Sequence, residues 1–198
     1  MNLDSLKSQY FDGIYQSKAF LIKEKPFSLQ SGKKSHLYLN HRNFLSQNRY
    51  LSLVARIYYE LCKNVEYDFQ LGAVDSVTSP IIVGAMCVNF NKDYVVIKRE
   101  ALTHGTQEFI YGNINQPIIL IDDMTSTGGT LIDAAEKIRS KGGVVKHAII
   151  SAYRDEFAIQ QLKLKDIELL WIASFSEILA YLNRYLTENE KYLANIII

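Results

Sequence analysis

The apolar residues of the chain follow two alternating periods, one typical of helices and one typical of buried strands. Apolar positions at helical spacing predict helices over residues 3–19, 48–64, 80–89, 130–141 and 176–186. Short apolar runs predict strands over residues 69–74, 94–98, 117–121, 144–151 and 167–172. This alternation predicts an α/β fold, in which a parallel sheet carries helices on both faces.

Residues 117–121 form the most clearly buried strand, because the run is apolar without alternation, as parallel strands covered on both faces are. A polar, turn-rich stretch over residues 28–40 stands apart from the pattern, with strand-like alternation around Tyr38. In open α/β sheets, ligands bind beyond the carboxyl ends of the strands. The residues that follow each predicted strand are therefore the first candidates for a functional site.

Composition places the chain among ordinary globular proteins. It has 198 residues, of which 48% are apolar and 22% are charged, and we expect one domain over residues 1–198. The formal net charge of +1 predicts no nucleic-acid partner and no membrane-surface partner. Cys62 and Cys87 form no CxxC pair, the chain start lacks a signal-peptide pattern, and no apolar run could cross a membrane. A cytoplasmic protein with reduced thiols is therefore expected.

The strongest candidate site is the segment PIILIDDMTSTGGTLIDAAEKI, residues 117–138. Its strand ends in Asp122 and Asp123, and a loop of hydroxyl and glycine residues then opens a helix. Loop N–H groups, hydroxyls and a helix N-terminus favour a phosphate group. Two carboxylates suit ribose hydroxyls, or a magnesium ion reached through water. The segment is neither a Walker loop nor GxGxxG, and an ordinary strand–helix turn with aspartate as the helix cap is the alternative.

This segment resembles the signature of type I phosphoribosyltransferases, in which four apolar residues precede two acids and a loop rich in hydroxyls and glycines. The resemblance implies a parallel-sheet type I phosphoribosyltransferase core with helices on both faces and a small N-terminal hood segment. It also implies that Asp122 and Asp123 contact the ribose hydroxyls of 5-phosphoribosyl-1-pyrophosphate (PRPP). The implied 5-phosphate loop consists of Thr125, Ser126, Thr127, Gly128, Gly129 and Thr130. Thr125 departs from the family, which usually has an apolar residue there.

Two further segments resemble the substrate segments of the orotate branch of this family. The first is PFSLQSGKKSHLYLN, residues 26–40, and it implies that Lys34 and Tyr38 contact orotate. The second is IISAYRDE, residues 149–156, and it implies that Arg154 grips the base through its forked donors. Each segment taken alone has an alternative: a surface hairpin with a solvated basic pair, and a surface arginine among acids.

A third segment, VVIKREALTHGTQEFIYG, resembles the catalytic loop of the same branch and covers residues 95–112. The resemblance implies that Lys98, Arg99 and His104 contact the pyrophosphate. Arg99 and His104, together with Asp122 and Asp123, are then the expected catalytic residues. A lone histidine is otherwise an ordinary surface or core residue, which is the alternative for His104.

The resemblance implies transfer of the phosphoribosyl group from PRPP to orotate, giving orotidine 5′-phosphate and pyrophosphate. It further implies Mg2+ bound through the substrate rather than by protein ligands, and a homodimer with a shared active site. The chain departs from the family at three lysine positions, which are Gln30, Ser76 or Val77, and Leu102 here. These departures leave two alternatives open: a degenerate homologue that binds a phosphoribosyl compound without turnover, and a type I transferase for another base.

Overall fold

The computed structural model describes residues 2–28, 34–100 and 109–195. The helices in these residues are α1 (Leu3–Gln16), α2 (His41–Leu45), α3 (Asn48–Cys62), α4 (Ser79–Phe90), α5 (Gly129–Ser140), α6 (Phe157–Lys163), α7 (Phe175–Leu182) and α8 (Glu188–Asn195), with a 3-10 turn at Asn183–Tyr185. The strands are β1 (Phe20–Ser28), β2 (Lys34–Leu39), β3 (Gln70–Val74), β4 (Tyr94–Ile97), β5 (Ile110–Tyr111), β6 (Ile118–Ile121), β7 (Met124–Thr125), β8 (Val145–Tyr153) and β9 (Glu168–Ser174).

The central sheet has the strand order β5, β4, β3, β6, β8, and β8 pairs in addition with β9 and, through its last residues, with β7. All these pairings are parallel except that of β5, which runs antiparallel beside β4. The predicted parallel sheet is therefore confirmed, with one short antiparallel strand added at its edge.

Helices cover both faces of the sheet, because successive residues of a strand point to opposite sides. Ile119 and Ile121 of β6 pack in the core formed with α1, α3, α4 and α7, whereas Ile118 and Leu120 pack in the core formed with α5 and α6. All four side chains are fully buried, and each contributes about 1.5–3 kcal/mol through burial. These two cores hold the end of β6, and with it Asp122, in a fixed place.

A second, two-stranded sheet is formed by β1 and β2, which pair antiparallel with Phe20 opposite Leu39. Helix α8 packs on both strands, and Leu37, Leu179 and Ala194 form a small apolar cluster there. This small sheet, hereafter the hood, corresponds to the N-terminal hood segment that the sequence resemblance implied. Its partner α8 comes from the other end of the chain and was not predicted.

Several boundaries differ from the sequence predictions for local physical reasons. Helix α1 ends at Gln16, earlier than predicted, because Lys18 adopts a left-handed backbone with a φ of 51°. Strand β8 continues to Tyr153, beyond the predicted end, because its last residues pair with β7 and β9. Helices α2 and α6 escaped prediction because they are too short to show a helical period.

Three features of the described residues bear on the class of protein. No helix in residues 2–28, 34–100 and 109–195 has the length and apolarity needed to cross a membrane. Cys62 and Cys87 are free thiols. The described part of the chain contains no cluster of three or more His, Cys, Asp or Glu side chains with the arrangement of a metal site.

Candidate active site

Four parallel strands, β4, β3, β6 and β8, lie side by side, so their carboxyl ends meet at one edge of the sheet. Lys98 follows β4, Asp75 follows β3, Asp122 follows β6 and Arg154 follows β8. This is the edge at which open α/β sheets bind ligands. The fold therefore brings together side chains that are far apart in the sequence.

A cavity of about 330 Å³ lies between the hood and the residues that follow β6, β8 and β9. Its size is within the range of small-molecule sites. Five residues that the sequence analysis singled out line it: Tyr38, Asp123, Thr125, Ser126 and Arg154. The wall also contains Ser28, Leu39, His41, Arg42, Met124 and Phe175. Lys34 is exposed at the start of β2 and is not among these lining residues.

Asp122 is buried, with 5% of its surface exposed. Its Oδ1 atom accepts hydrogen bonds from the Ser76 hydroxyl at 3.1 Å and from the backbone N–H of Asp123 at 3.0 Å. Its backbone carbonyl accepts a hydrogen bond of 2.8 Å from the Tyr58 hydroxyl. Burial, reinforced by the neighbouring charge of Asp123, raises the pKa of the Asp122 carboxyl to about 8. Asp122 therefore favours its protonated form more than an ordinary carboxyl does, and it lies behind the cavity wall.

Asp123 forms part of the cavity wall, and 16% of its side chain is exposed. One carboxylate oxygen, Oδ1, accepts a 2.9 Å hydrogen bond from the N–H of Met124. The other, Oδ2, lies 3.7 Å from Nδ1 of His41. The backbone carbonyl of Asp123 accepts a 2.9 Å hydrogen bond from the N–H of Ser151, and this bond ties the residues after β6 to strand β8. The two adjacent acids thus have different surroundings, one buried and one facing the cavity.

The loop between β6 and α5 is held by its own hydroxyls. The Thr125 hydroxyl accepts a 2.9 Å hydrogen bond from the N–H of Gly128, and the Thr127 hydroxyl accepts a 3.4 Å bond from the N–H of Gly129. The hydroxyl of Thr125, the departure from the family pattern, therefore has a local structural use. Gly128 has a φ of +79°, which side chains with a Cβ rarely adopt.

Helix α5 begins at this loop without a side-chain cap. Its N-cap residue is Gly128, so neither Asp122 nor Asp123 caps it. The alternative of an aspartate-capped turn is therefore wrong. Because Gly128 has no side chain with which to cap the N–H groups that follow it, this helix N-terminus favours an anion.

Lys98 and Arg99 lie at the end of β4 and are both bound to Asp75. The Lys98 ammonium is 2.9 Å from Asp75 Oδ1, and the Arg99 backbone N–H donates to Oδ2 at 3.1 Å. The hydrogen bond from Lys98 lowers the pKa of the Asp75 carboxyl. The Arg99 guanidinium reaches the Thr130 hydroxyl at 3.5 Å, at the start of α5. His104 and Leu102 lie outside the described residues.

Lys137, which the sequence analysis did not single out, binds the residues that precede residues 101–108. Its ammonium donates to the backbone carbonyls of Lys98 at 3.0 Å and Arg99 at 2.6 Å. It is also paired with Asp133 at 2.8 Å and lies over the ring of Phe109, 4.9 Å from its centroid. One cation of α5 therefore contacts the chain on both sides of residues 101–108.

Arg154 joins the strand-end loops to the hood. Its guanidinium donates to the Ser35 hydroxyl at 2.8 Å and to the Leu37 carbonyl at 3.1 Å. It also lies over the ring of Phe175, 4.3 Å from the centroid. The partners of Arg154 are thus a hydroxyl, a carbonyl and an aromatic ring, whereas the alternative was a surface arginine among acids. They hold the guanidinium in the wall of the cavity that Asp123 also lines.

Three cavity residues were missed by the sequence analysis: His41, Arg42 and Phe175. His41 and Arg42 open α2, one residue after the end of β2, and Phe175 directly follows β9. The rule that ligands bind at the carboxyl ends of parallel strands would have pointed to Phe175. His41 and Arg42 follow a strand of the antiparallel hood, to which this rule does not apply.

Comparison with known proteins gives a consistent result, although no protein-family model matches the chain. An orotate phosphoribosyltransferase of Sulfolobus acidocaldarius is 33% identical over 170 residues, which are 84% of this chain and 85% of the relative. One from Picrophilus torridus is 34% identical over 160 residues, 79% of this chain and 93% of the relative. The crystal structure of orotate phosphoribosyltransferase from Aeropyrum pernix, 22% identical, shares the fold with a TM-score of 0.77 over 88% of this chain and 98% of that one. With two such relatives matched over most of their length, the chain belongs to the orotate phosphoribosyltransferase family.

Proposed function

We propose that the protein transfers the phosphoribosyl group of PRPP to orotate, giving orotidine 5′-phosphate and pyrophosphate. One observation carries this proposal: a single cavity is lined by an acid and a hydroxyl loop, and also by an arginine with two aromatic rings. The first set suits a phosphorylated ribose, and the second suits a planar anion. The relatives named above carry the name of this activity.

The donor side is formed by Asp123 and the loop over residues 125–130. The 5-phosphate would lie on the loop N–H groups, at the uncapped N-terminus of α5. The ribose hydroxyls would donate to Asp123, whose carboxylate lines the cavity. Asp122, buried beside it, would hold this acid in place through its hydrogen bond with the Asp123 N–H.

The orotate side is formed by Arg154, Tyr38 and Phe175. A guanidinium has five N–H donors, and within the described residues two of those of Arg154 are used, by Ser35 and Leu37. The remaining donors would bind the carboxylate and ring oxygens of orotate. Because the used donors bind the hood, orotate recognition and hood position would be coupled.

The reaction is displacement at the anomeric carbon: the bond from C1 of the ribose to pyrophosphate breaks, and a bond to a ring nitrogen of orotate forms as that nitrogen loses its proton to solvent. The protein's main contribution would be to hold the two anions in line and to stabilise the leaving pyrophosphate. Lys98 and Arg99, which follow β4, two strands from β6, are the cations that would do this. His104 is proposed from the sequence resemblance to assist them.

Magnesium fits this site as an ion bound through the substrate. The acids present offer hard carboxylate oxygens, which suit Mg2+, but the described residues form no three-ligand cluster that would hold the ion alone. When bound, Mg2+ would neutralise charge on the pyrophosphate as it leaves. The protein's part is to supply the negative Asp123 on the ribose side. By family resemblance we also propose a single domain over residues 1–198 and a cytoplasmic homodimer with a shared active site.

A degenerate, non-catalytic binding protein is the second candidate, and one observation favours it. Where the family has a lysine after β3, Ser76 donates its hydroxyl to Asp122 and Val77 is an exposed apolar residue. Lys98, which could replace that charge, is paired with Asp75. This candidate predicts binding of the donor without turnover.

Isothermal titration calorimetry separates these candidates and a transferase for another base. PRPP with Mg2+, then orotate, adenine and hypoxanthine, are titrated separately into the protein. The proposed function predicts heats for PRPP and orotate and none for the purines. Binding of a purine in preference to orotate would contradict the assignment of the base. If PRPP and orotate each bind, but protein incubated with both substrates and Mg2+ forms no orotidine 5′-phosphate, the degenerate candidate is favoured.

A further inference from the structure

His41 has a rigid and mostly apolar environment. It is the first residue of α2 and is 1% exposed. Its ring stacks on Phe44, with centroids 5.5 Å apart at 30°, and lies at 59° to the ring of Tyr10, with centroids 6.2 Å apart. A histidine held between two aromatic rings has little freedom to turn, so the directions of its two nitrogens are fixed by packing.

The two nitrogens of His41 face different groups. Nε2 lies 3.4 Å from the hydroxyl oxygen of Tyr10. Nδ1 is buried without a hydrogen-bond partner in the described residues, and it faces Oδ2 of Asp123 at 3.7 Å. Buried polar atoms are nearly always paired, and an orphaned one points to a function or to a contact that forms later. The orphaned nitrogen here faces the acid that lines the cavity.

The charge of Asp123 determines which nitrogen carries the proton. Burial lowers the pKa of His41 to about 4, so the ring is neutral and carries one proton. A lone pair on Nδ1 would be repelled by the nearby carboxylate, whereas an N–H there is attracted to it. Burial raises the pKa of Tyr10 above its ordinary value, so its hydroxyl keeps a proton that can be donated to Nε2. Both surroundings favour the tautomer with the proton on Nδ1.

We propose that His41 is a positioning residue, whose Nδ1–H holds the Asp123 carboxylate in the orientation that receives the ribose hydroxyls of the donor. This role rests on the proposed function. Oδ1 of Asp123 is fixed by the Met124 N–H, and His41 would fix Oδ2. Each oxygen then keeps a lone pair for one hydroxyl. The present 3.7 Å separation is longer than a formed hydrogen bond, and it would shorten when the donor binds, as hydrogen bonds of active sites do.

Three substitutions of His41 separate this role from simple packing. In His41→Asn the amide N–H2 group takes roughly the place of Nδ1, in His41→Gln it takes roughly the place of Nε2, and His41→Leu has no donor. We expect His41→Gln and His41→Leu to lower kcat/KM for PRPP by about ten- to hundredfold, the usual effect of losing a hydrogen bond that orients a functional group. His41→Asn should stay within about threefold of wild type, and most of the loss in the other two should be in kcat.

Tyr10→Phe is the matched control, because it removes the hydroxyl beside Nε2 and retains the ring. It should leave kcat/KM within about threefold of wild type, since the charge of Asp123 acts at the other nitrogen. Thermal unfolding is measured on every variant. If folded His41→Asn is no more active than folded His41→Leu, the positioning role is wrong.

A measurement on the unsubstituted protein tests the same contact without risk to folding. In protein labelled with ¹⁵N-histidine, the two ring nitrogens report which one is protonated, and His41→Gln assigns the signal among the four histidines. The expected result is a proton on Nδ1, with a further downfield shift of that proton when PRPP and Mg2+ are added. A proton on Nε2 in both states would overturn the proposal. Absence of orotate-dependent turnover in wild type would instead contradict the proposed function. The tautomer of His41 could still be determined, because the ¹⁵N measurement does not depend on turnover.

Discussion

Replacing Asp122 with asparagine is expected to stabilise the protein at high pH and to lower its turnover. The buried carboxyl has its pKa raised from 3.8 to about 8, first by burial and then by the charge of Asp123. In the unfolded chain the same group loses its proton near pH 4. Between these two values the folded protein therefore holds a proton that the unfolded chain has released. Stability then falls as pH rises through this window.

The size of the effect follows from the displacement of the pKa. One pKa unit corresponds to about 1.4 kcal/mol, so the loss of stability in wild type between pH 5 and pH 9 is on the order of 4 kcal/mol. Asparagine does not ionise, so Asp122→Asn avoids this loss. Its oxygen can still accept from Ser76 and from the Asp123 N–H, although its amide hydrogens need acceptors at a cost of about 1–3 kcal/mol. The variant should thus gain relative to wild type as pH rises.

Calorimetric or fluorescence Tm values of wild type and Asp122→Asn at pH 5 and pH 9 measure this directly. For a chain of this size, about 1 kcal/mol corresponds to 2–4 °C, so the Tm difference between variant and wild type should increase by roughly 10 °C from pH 5 to pH 9. Asp68→Asn, at an exposed position, is the control and should give the same difference at both pH values. A Tm difference for Asp122→Asn that does not change with pH would refute the raised pKa.

Arg154→Ala is expected to raise the KM for orotate by at least about tenfold, since a charge-assisted hydrogen bond contributes about 1.5–3 kcal/mol. The KM for PRPP should change little. Equal increases in both KM values in steady-state kinetics would contradict the proposal that Arg154 binds the base. Gly128→Val should lower both the Tm and the affinity for PRPP, because a Cβ at this left-handed position would approach a leucine of α6 to 3.2 Å. Gly129→Ala should keep the Tm of wild type, because its Cβ would meet only a hydroxyl at 3.6 Å; equal Tm losses in both would refute the steric argument. Lys137→Met should lower kcat without changing the KM for orotate, whereas Lys141→Met, at the C-cap of the same helix, should match wild type in both.

The chemistry of the β6 end was predictable because all its signals are local. An apolar strand, two acids, a hydroxyl loop and a helix follow one another within a short segment, and each part obeys rules of period and turn chemistry. The structure retains that order, from β6 to α5. The sequence resemblance then extended the prediction to Arg154 and Tyr38, which do line the same cavity as Asp123.

What escaped prediction depends on contacts between distant parts of the chain. Arg154 binds Ser35, 119 residues away in sequence, and helix α8 packs on the hood from the opposite end of the chain. The spacing of apolar residues predicts local helices and strands, but it does not indicate which distant residues come into contact. The difference between the two acids is similar: Asp122 and Asp123 are indistinguishable as a dipeptide, and only the packing around β6 buries the first and exposes the second.

The most direct test of the account is a pyrophosphate-release assay with purified protein, PRPP and Mg2+, run with and without orotate. The expected result is release that requires orotate, with orotidine 5′-phosphate formed in equal amount and no release with adenine or hypoxanthine. Protein that binds PRPP yet releases no pyrophosphate with orotate, or that releases it with a purine instead, would contradict the proposed function.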